Sequence, residues 1–558
     1  MKHLERALPF LMFGFTALAF WPAYDADFVF VDDGSMIINN PHVYGGLTWE
    51  SVKWAFSTGH WGMWMPLTWM SHQLDITLFG LYPEGPHAEG VLIHSVSAAL
   101  AYLFVRKATG DTWRSLLVAM LFAVHPMRAE SVIWVSERKD VLCMFFSLAA
   151  LWGYAAYRKS PAPWRWVVVT VLYGCALMSK AQAIMLPFAM LLLDHWPLGP
   201  QPDRKAWVRR ALEKAPWVAM ALASTVFTLR FQTEYGAVSS AGWGDRLQRV
   251  IGAYGLTLWH TVWPRWLSYF YPRINPPWWS TSLSVAVLVA LLAAAFQLRK
   301  TKPAFTVGIL WFLGVMLPTT GVIQAGGQLT ADRYSYLPHL GLFMGLVFVL
   351  PPIPERHRRT AMLGAFALVF GCVSALWGQA VTWNDSGRLY KQALQRDPDS
   401  PRTLMYMGML ELGQNHAPEA VELLERSAKE QPNDGYVRSN LARAYEAAGR
   451  HDDALAMAES ATHMYIEGGN HHGFVLQAYG KLLMHAGRLE EAETVLRQAV
   501  VYEPDIPVEI DLARLFVQEH RDAEAQAMLE AGQKRFPHER RFKKELQALR
   551  EKTPAAPQ

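Results

Sequence analysis

Apolar residues come in long blocks over the first 380 positions and in narrow helical stripes after them, and this change of pattern divides the chain. A helix needs roughly 20 apolar residues to cross the hydrocarbon core of a bilayer, fewer where its ends reach for the interface. Blocks of that kind lie near residues 7–23, 89–107, 114–126, 139–157, 164–179, 182–197, 215–231, 281–298, 303–319, 336–352 and 360–378. They predict eleven crossings, the third of them short. Basic residues gather in every second loop, at Lys2 and Arg6, Arg106 and Lys107, Arg158 and Lys159, 204–210, 299–302 and 355–359, as cytoplasmic loops require. The block 250–266 is apolar enough to span. Counting it would push the basic cluster 299–302 outside, so it reads as an interfacial or re-entrant helix. On this topology the N-terminus is cytoplasmic. The loops that hold Asp32, Glu130, Lys180, 246–273 and Arg333 face outward, together with everything after residue 380. No small-x-small cleavage site follows the first block, which predicts an uncleaved signal anchor.

From Pro401 a different period takes over. Small residues recur at Gly408, Ala442, Gly480 and Ala513, and a second set follows in register at Ala420, Ala454, Ala492 and Ala525. Pro398, Pro432, Pro504 and Pro537 close the units, and extra residues before the third unit fall in the polar stretch 467–472. Small residues at this spacing let two antiparallel helices pack closely, the pattern of the tetratricopeptide repeat. The expected fold class is therefore all-α. A polytopic region spans residues 1–380, a connecting helix or partial repeat 381–400, about four repeats 401–540, and a flexible tail 541–558.

Composition agrees with two solvents for one chain. Of 558 residues 52% are hydrophobic and 18% charged, too apolar for a wholly soluble protein and too polar for a wholly embedded one. Many of the 23 tryptophans fall where an interface is expected. The net charge of +4 is small and its basic residues are scattered, which argues against a nucleic-acid partner. Cys143, Cys175 and Cys372 lie in apolar blocks without metal-ligand spacing and read as buried, reduced thiols.

Four polar strings at the outer ends of apolar blocks carry the candidate chemistry, because ionisable groups there usually line a cavity. FVFVDDGSMIINNPHV sets Asp32 beside Asp33, and adjacent carboxylates raise each other's proton affinity, which suits a general base. The same residues also fit a turn or helix cap. HPMRAESVIWVSERKDVL distributes Arg128, Glu130, Glu137, Arg138, Lys139 and Asp140, a pattern that also fits a salt-bridged interfacial helix. SKAQAIMLP puts Lys180 in a tight turn where an anion is the natural partner, and DRYSYLPHLG puts Asp332 and Arg333 at the head of a block. Together these cations could hold a phosphate.

The strings, in this order, resemble those of the transmembrane and tetratricopeptide-repeat O-mannosyltransferases of the GT-C glycosyltransferase class, and the likeness covers nearly the whole chain. Arg128 stands where that family usually has histidine, and Ala181 where it has glutamate, which bears on the sugar and the acceptor more than on the reaction class. The resemblance implies a polyprenyl-phosphate-linked sugar as donor and an extracytoplasmic protein or peptide as acceptor. Asp32, with Asp33 beside it, is the implied inverting base. Glu130, Arg138, Lys180 and Arg333 are expected at the donor's phosphate and sugar, with Arg128, Lys139, Asp140 and Asp332 as further candidates. It implies no required cofactor; a divalent metal is optional, and no ligand spacing demands one. The short repeat array points to a bacterial inner membrane. The rivals are a ligase for lipid-linked oligosaccharides and a non-catalytic scaffold.

Overall fold

The computed structural model describes residues 2–199, 204–234, 242–322, 327–467, 473–502, 508–535 and 540–552. Pro504, Pro537 and most of the stretch 467–472 therefore lie outside the described residues. Regular structure among the described residues is helical, with one isolated bridge between Pro272 and Gln328. Contacts divide the chain into two compact units. One holds residues 1–29 and 48–385, the other residues 30–47 and 386–558.

In the first unit each of the eleven predicted blocks is helical: Lys2–Ala19, Glu84–Thr109, Thr112–Val124, Arg138–Lys159, Pro163–Ser179, Leu186–His195, Ala215–Glu234, Trp278–Leu298, Pro303–Met316, Tyr336–Val349 and Arg358–Thr382. Among the described residues four stretches are long and apolar enough to cross a membrane, namely Glu84–Thr109, Val135–Lys159, Trp278–Leu298 and Glu355–Thr382. The others are shorter or more polar. Thr112–Val124, for example, stops before Pro126 after about 20 Å of rise. Trp278–Leu298 and Glu355–Thr382 keep little of their surface inside the protein and turn residues such as Phe296, Phe366 and Phe370 outward, as a hydrocarbon solvent allows. The block read as interfacial forms the helix Trp243–Val262, which packs Tyr254 among Ala295, Ile309, Phe312 and Met316. Cys143 is buried as expected, whereas Cys175 and Cys372 are partly exposed, and all three are free thiols.

Pro303–Met316 and Tyr336–Val349 pack backbone to backbone. A Cβ on Gly308 would come 2.6 Å from the Gly345 Cα, and one on Gly345 would come 2.9 Å from the Gly308 Cα. The backbones meet because neither residue has a side chain, which sets the spacing of the two helices.

The second unit is an array of antiparallel helix pairs: Pro401–Gly413 with Ala417–Glu430, Gly435–Ala447 with His451–Glu467, Gly473–His485 with Leu489–Tyr502, and Glu509–Gln518 with Asp522–Arg535. The register residues are the packing points. Ala420, Ala454, Ala492 and Ala525 are fully buried, and Cβ atoms on Gly408 and Gly480 would strike Leu424 and Leu496. Ser386–Arg396 precedes the pairs within this unit. The expected flexible tail is corrected over 541–552, while 553–558 lie outside the described residues: Arg540–Lys552 is a helix, because Phe542, Leu546 and Leu549 form an apolar stripe that is buried. The segment 30–47 also belongs here, where the Phe30 N–H donates to Ser386 Oγ at 3.0 Å and the Tyr390 hydroxyl donates to the Phe30 carbonyl at 2.8 Å.

Gly345→Val is expected to force the paired helices apart and cost about 1–3 kcal/mol or more. Gly364→Ala, whose added Cβ meets nothing within 4 Å, should leave the melting temperature of the detergent-solubilised protein unchanged. Thermal unfolding of the two variants side by side checks the difference.

Candidate functional site

The chain bends sharply after Thr112–Val124 and again before Arg138–Lys159, and between them the short helix Arg128–Ile133 and the turn Val135–Glu137 are buried along their whole length. Charged side chains on a buried turn need ion-pair or hydrogen-bond partners. They find most of them in residues far along the chain. Glu130 accepts the backbone N–H of Arg333 at 2.8 Å and is ion-paired with its guanidinium. Arg333 Nε lies 3.1 Å from Glu137 Oε1, which is also 3.1 Å from Lys139 Nζ. Lys180 Nζ reaches Glu137 Oε2 at 3.3 Å and Asp140 Oδ1 at 2.5 Å. The second oxygen of Asp140 accepts from Ser131 at 3.1 Å.

Three carboxylates and three cations thus form one connected network, balanced in formal charge. Burial alone would strip protons from Lys180 and Arg333, but Asp140 and Glu137 for the lysine, and Glu130 and Glu137 for the arginine, outweigh it and hold each above its ordinary range. Both stay cationic at any physiological pH. They are also the cations of this network with the most residual exposure, 16% and 10%, and the Tyr334 ring lies against both.

The remaining predicted residues go elsewhere. Arg138 belongs to a separate group, with Nη1 at 3.1 Å from Asp75, 2.9 Å from Glu89 and 2.9 Å from Ser71 Oγ, while Nη2 donates to the Pro86 carbonyl at 2.6 Å. Arg128 is fully buried. It donates to Ser335 Oγ and His339 Nδ1 and stacks on Tyr336 at 4.8 Å, so its own pairing is structural. Asp332 accepts from the Tyr271 hydroxyl at 2.8 Å, with His260 3.7 Å away. Asp32 and Asp33 lie in the segment 30–47 of the second unit, Asp32 partly exposed and Asp33 buried. The Asp32 carbonyl accepts from the backbone of Ser35 and Met36, opening the short turn Gly34–Ile38.

The anions expected as partners of Lys180 are, in the structure, two of the protein's own carboxylates, Glu137 and Asp140. Asp75, Glu89 and Tyr334 were not singled out in the sequence. The available signal was Asp75, the one acidic residue of the helix Pro66–Phe79, and its partner Arg138 becomes visible only once that helix meets Arg138–Lys159. Among the described residues no group of three or more His, Cys, Asp or Glu side chains could hold a metal ion.

The second unit has its own groove, of about 360 Å³, lined by Leu412, Arg443, Phe474, Gln477, Lys481 and His485. Lys481 is paired with Asp511 at 3.2 Å, while Arg443 has Asn440 Oδ1 at 3.1 Å and the Phe474 ring at 5.8 Å.

Known proteins resemble both units. Residues 87–229 match the family model described as dolichyl-phosphate-mannose-protein mannosyltransferase, and residues 383–439, 411–465 and 478–498 match tetratricopeptide-repeat models. A mannosyltransferase-type helical region followed by tetratricopeptide repeats is the class these matches define. The chain is 25% identical over 467 residues to protein O-mannosyl-transferase TMTC4 of Mus musculus, covering 70% of this chain and 62% of that one. It is 23% identical over 410 residues to protein O-mannosyl-transferase F38B6.6 of Caenorhabditis elegans, covering 70% and 57%. It is thus a protein like the transmembrane and tetratricopeptide-repeat O-mannosyltransferases, spanning about three fifths of the length of these relatives. Among solved structures, the APC/C hetero-tetramer Cut9–Hcn1 aligns at a TM-score of 0.28 with 13% identity, over 87% of this chain and 89% of the other.

Glu137 touches three cations, so Glu137→Ala leaves surplus positive charge in a buried place and is expected to destabilise the protein by about 3–5 kcal/mol. Glu234→Ala, which breaks the exposed pair with Arg230, should cost under about 1 kcal/mol. Thermal denaturation of both variants in the same detergent tests the contrast.

Proposed function

We propose that this chain is a membrane glycosyltransferase that moves a sugar, mannose or another hexose, from a polyprenyl-phosphate donor to Ser or Thr hydroxyls of extracytoplasmic proteins. The observation that carries the reading is the charge network within and beside the segment that matches the mannosyltransferase family, with Lys180 and Arg333 at its exposed edge. A cationic edge of this kind stabilises the negative charge that grows on a departing phosphate. Because both cations are already paired, the donor phosphate displaces carboxylate contacts instead of filling an empty cationic site. Arg138, committed to Asp75 and Glu89, is set aside from that role.

The reaction is a single displacement. The acceptor oxygen bonds to the anomeric carbon as the bond from that carbon to the phosphate oxygen breaks, and the electron pair leaves with the phosphate. The hydroxyl proton passes to a carboxylate, the role assigned to Asp32 with Asp33 beside it. Polyprenyl phosphate leaves without protonation, so no separate acid and no cofactor is needed. The eleven-crossing topology sets the N-terminus in the cytoplasm and the active loops and repeats outside, in the inner membrane of a bacterium. The groove around Arg443 and Phe474 suits an extended acceptor peptide or a translocation partner.

Asp32→Asn is expected to abolish transfer while the protein stays folded and binds donor. Intact and peptide-level mass measurement of extracytoplasmic proteins, from cells with wild type, Asp32→Asn, Asp33→Asn or no copy, checks it. A single-hexose increment on Ser or Thr that vanishes with the variant supports the transferase. An oligosaccharide increment points to a ligase, and identical masses in all samples point to a scaffold.

A further inference from the structure

The group around Arg138 has a charge balance unlike its neighbour's. In the larger network three cations meet three carboxylates, but here one guanidinium nitrogen faces two carboxylates, Asp75 at 3.1 Å and Glu89 at 2.9 Å. Asp75 and Glu89 thus share one guanidinium nitrogen, and His72 lies fully buried 3.9 Å from Asp75. Asp75 and Arg138 are each 1% exposed, whereas Glu89 is 23% exposed, so the group meets the surroundings at one carboxylate. Its placement is rigid. Oε2 is fixed by Arg138, and Oε1 lies 3.4 Å from the Ser71 hydroxyl, which itself accepts from Arg138. Close packing holds the helix too, since a Cβ on the next residue, Gly90, would come 2.8 Å from the Val132 carbonyl.

A rigid, partly exposed carboxyl group with spare lone pairs accepts hydrogen bonds from neutral hydroxyls. Such bonds are charge-assisted and short. The buried charges of the first unit thus offer two reachable edges of opposite character, Lys180 and Arg333 for an anion and Glu89 for a hydroxyl-bearing ligand. A lipid-phosphate sugar is a ligand with both needs. We propose that Glu89 accepts hydrogen bonds from hydroxyl groups of the donor sugar and determines which sugar is taken, with Arg138 and Asp75 as the positioning residues that hold it. This assignment rests on the transferase reading.

The test measures binding of two probes to the full-length protein in nanodiscs: polyprenyl phosphate alone, and polyprenyl-phosphate mannose. Glu89→Ala is expected to weaken mannose-lipid binding at least about tenfold and to leave polyprenyl phosphate binding within about twofold, because only the sugar contact is lost. Lys180→Ala should weaken both probes. Glu89→Gln keeps one acceptor and the side-chain volume and should fall between wild type and Glu89→Ala. Unchanged binding of the phosphate probe serves as the folding check for the two Glu89 variants. Equal affinity of wild type and Glu89→Ala for the mannose lipid would overturn the role of Glu89 and leave the transferase standing. Wild type that binds neither probe would overturn the transferase reading, and the assignment of Glu89 with it.

Discussion

Burying charge in an apolar region is what the first unit is organised around. An isolated ionised group in a low-dielectric interior costs several kcal/mol, so it must be met by ion pairs or hydrogen bonds. Glu130, Glu137, Lys139 and Asp140 come from one short stretch, but their partners Lys180 and Arg333 come from turns 40 or more residues away. The network therefore pins three separate helix junctions to one place. The paired glycines 308 and 345 add a second constraint by letting two backbones approach along the helix that follows Arg333. Electrostatic pairing fixes which turns meet, and backbone contact fixes how closely.

That arrangement also divides the chemistry. The least buried cations sit at one margin of the balanced network, and the partly exposed Glu89 sits in a group where two carboxyl groups share one guanidinium. A neutral cluster can be stable in an apolar setting and still present a positive face, provided its carboxylates are the more deeply buried members. Lys180 and Arg333 meet this condition, since Glu137 and Glu130 are each 2% exposed. The second unit follows another rule. Its stability is spread over repeating contacts between small residues and leucines, so its groove residues are free to be polar.

Much of this architecture was legible from the chain. The eleven apolar blocks all became helices, and Gly408, Ala442, Gly480 and Ala513 marked the first helices of four pairs. One reading failed for an identifiable reason. Residues 541–552 looked like a tail, yet Phe542, Leu546 and Leu549 fall on one face and bury it. Which anions hold Lys180 was not legible, because Glu137 and Asp140 are some forty positions away.

Local periodicity by itself determined the helices, the repeats and the boundary between an apolar and a soluble region, because spacing of apolar and small residues acts over one or two turns. It also singled out most of the charged residues that matter, since a charge at the end of an apolar block is conspicuous. Only the tertiary structure decided their partners. It gave Arg138 to Asp75 and Glu89, Arg333 to Glu130 and Glu137, and the segment 30–47 to the repeat unit. The reason is physical: charge pairing depends on distance in space, and no pattern along the chain encodes which distant turns will share a buried site.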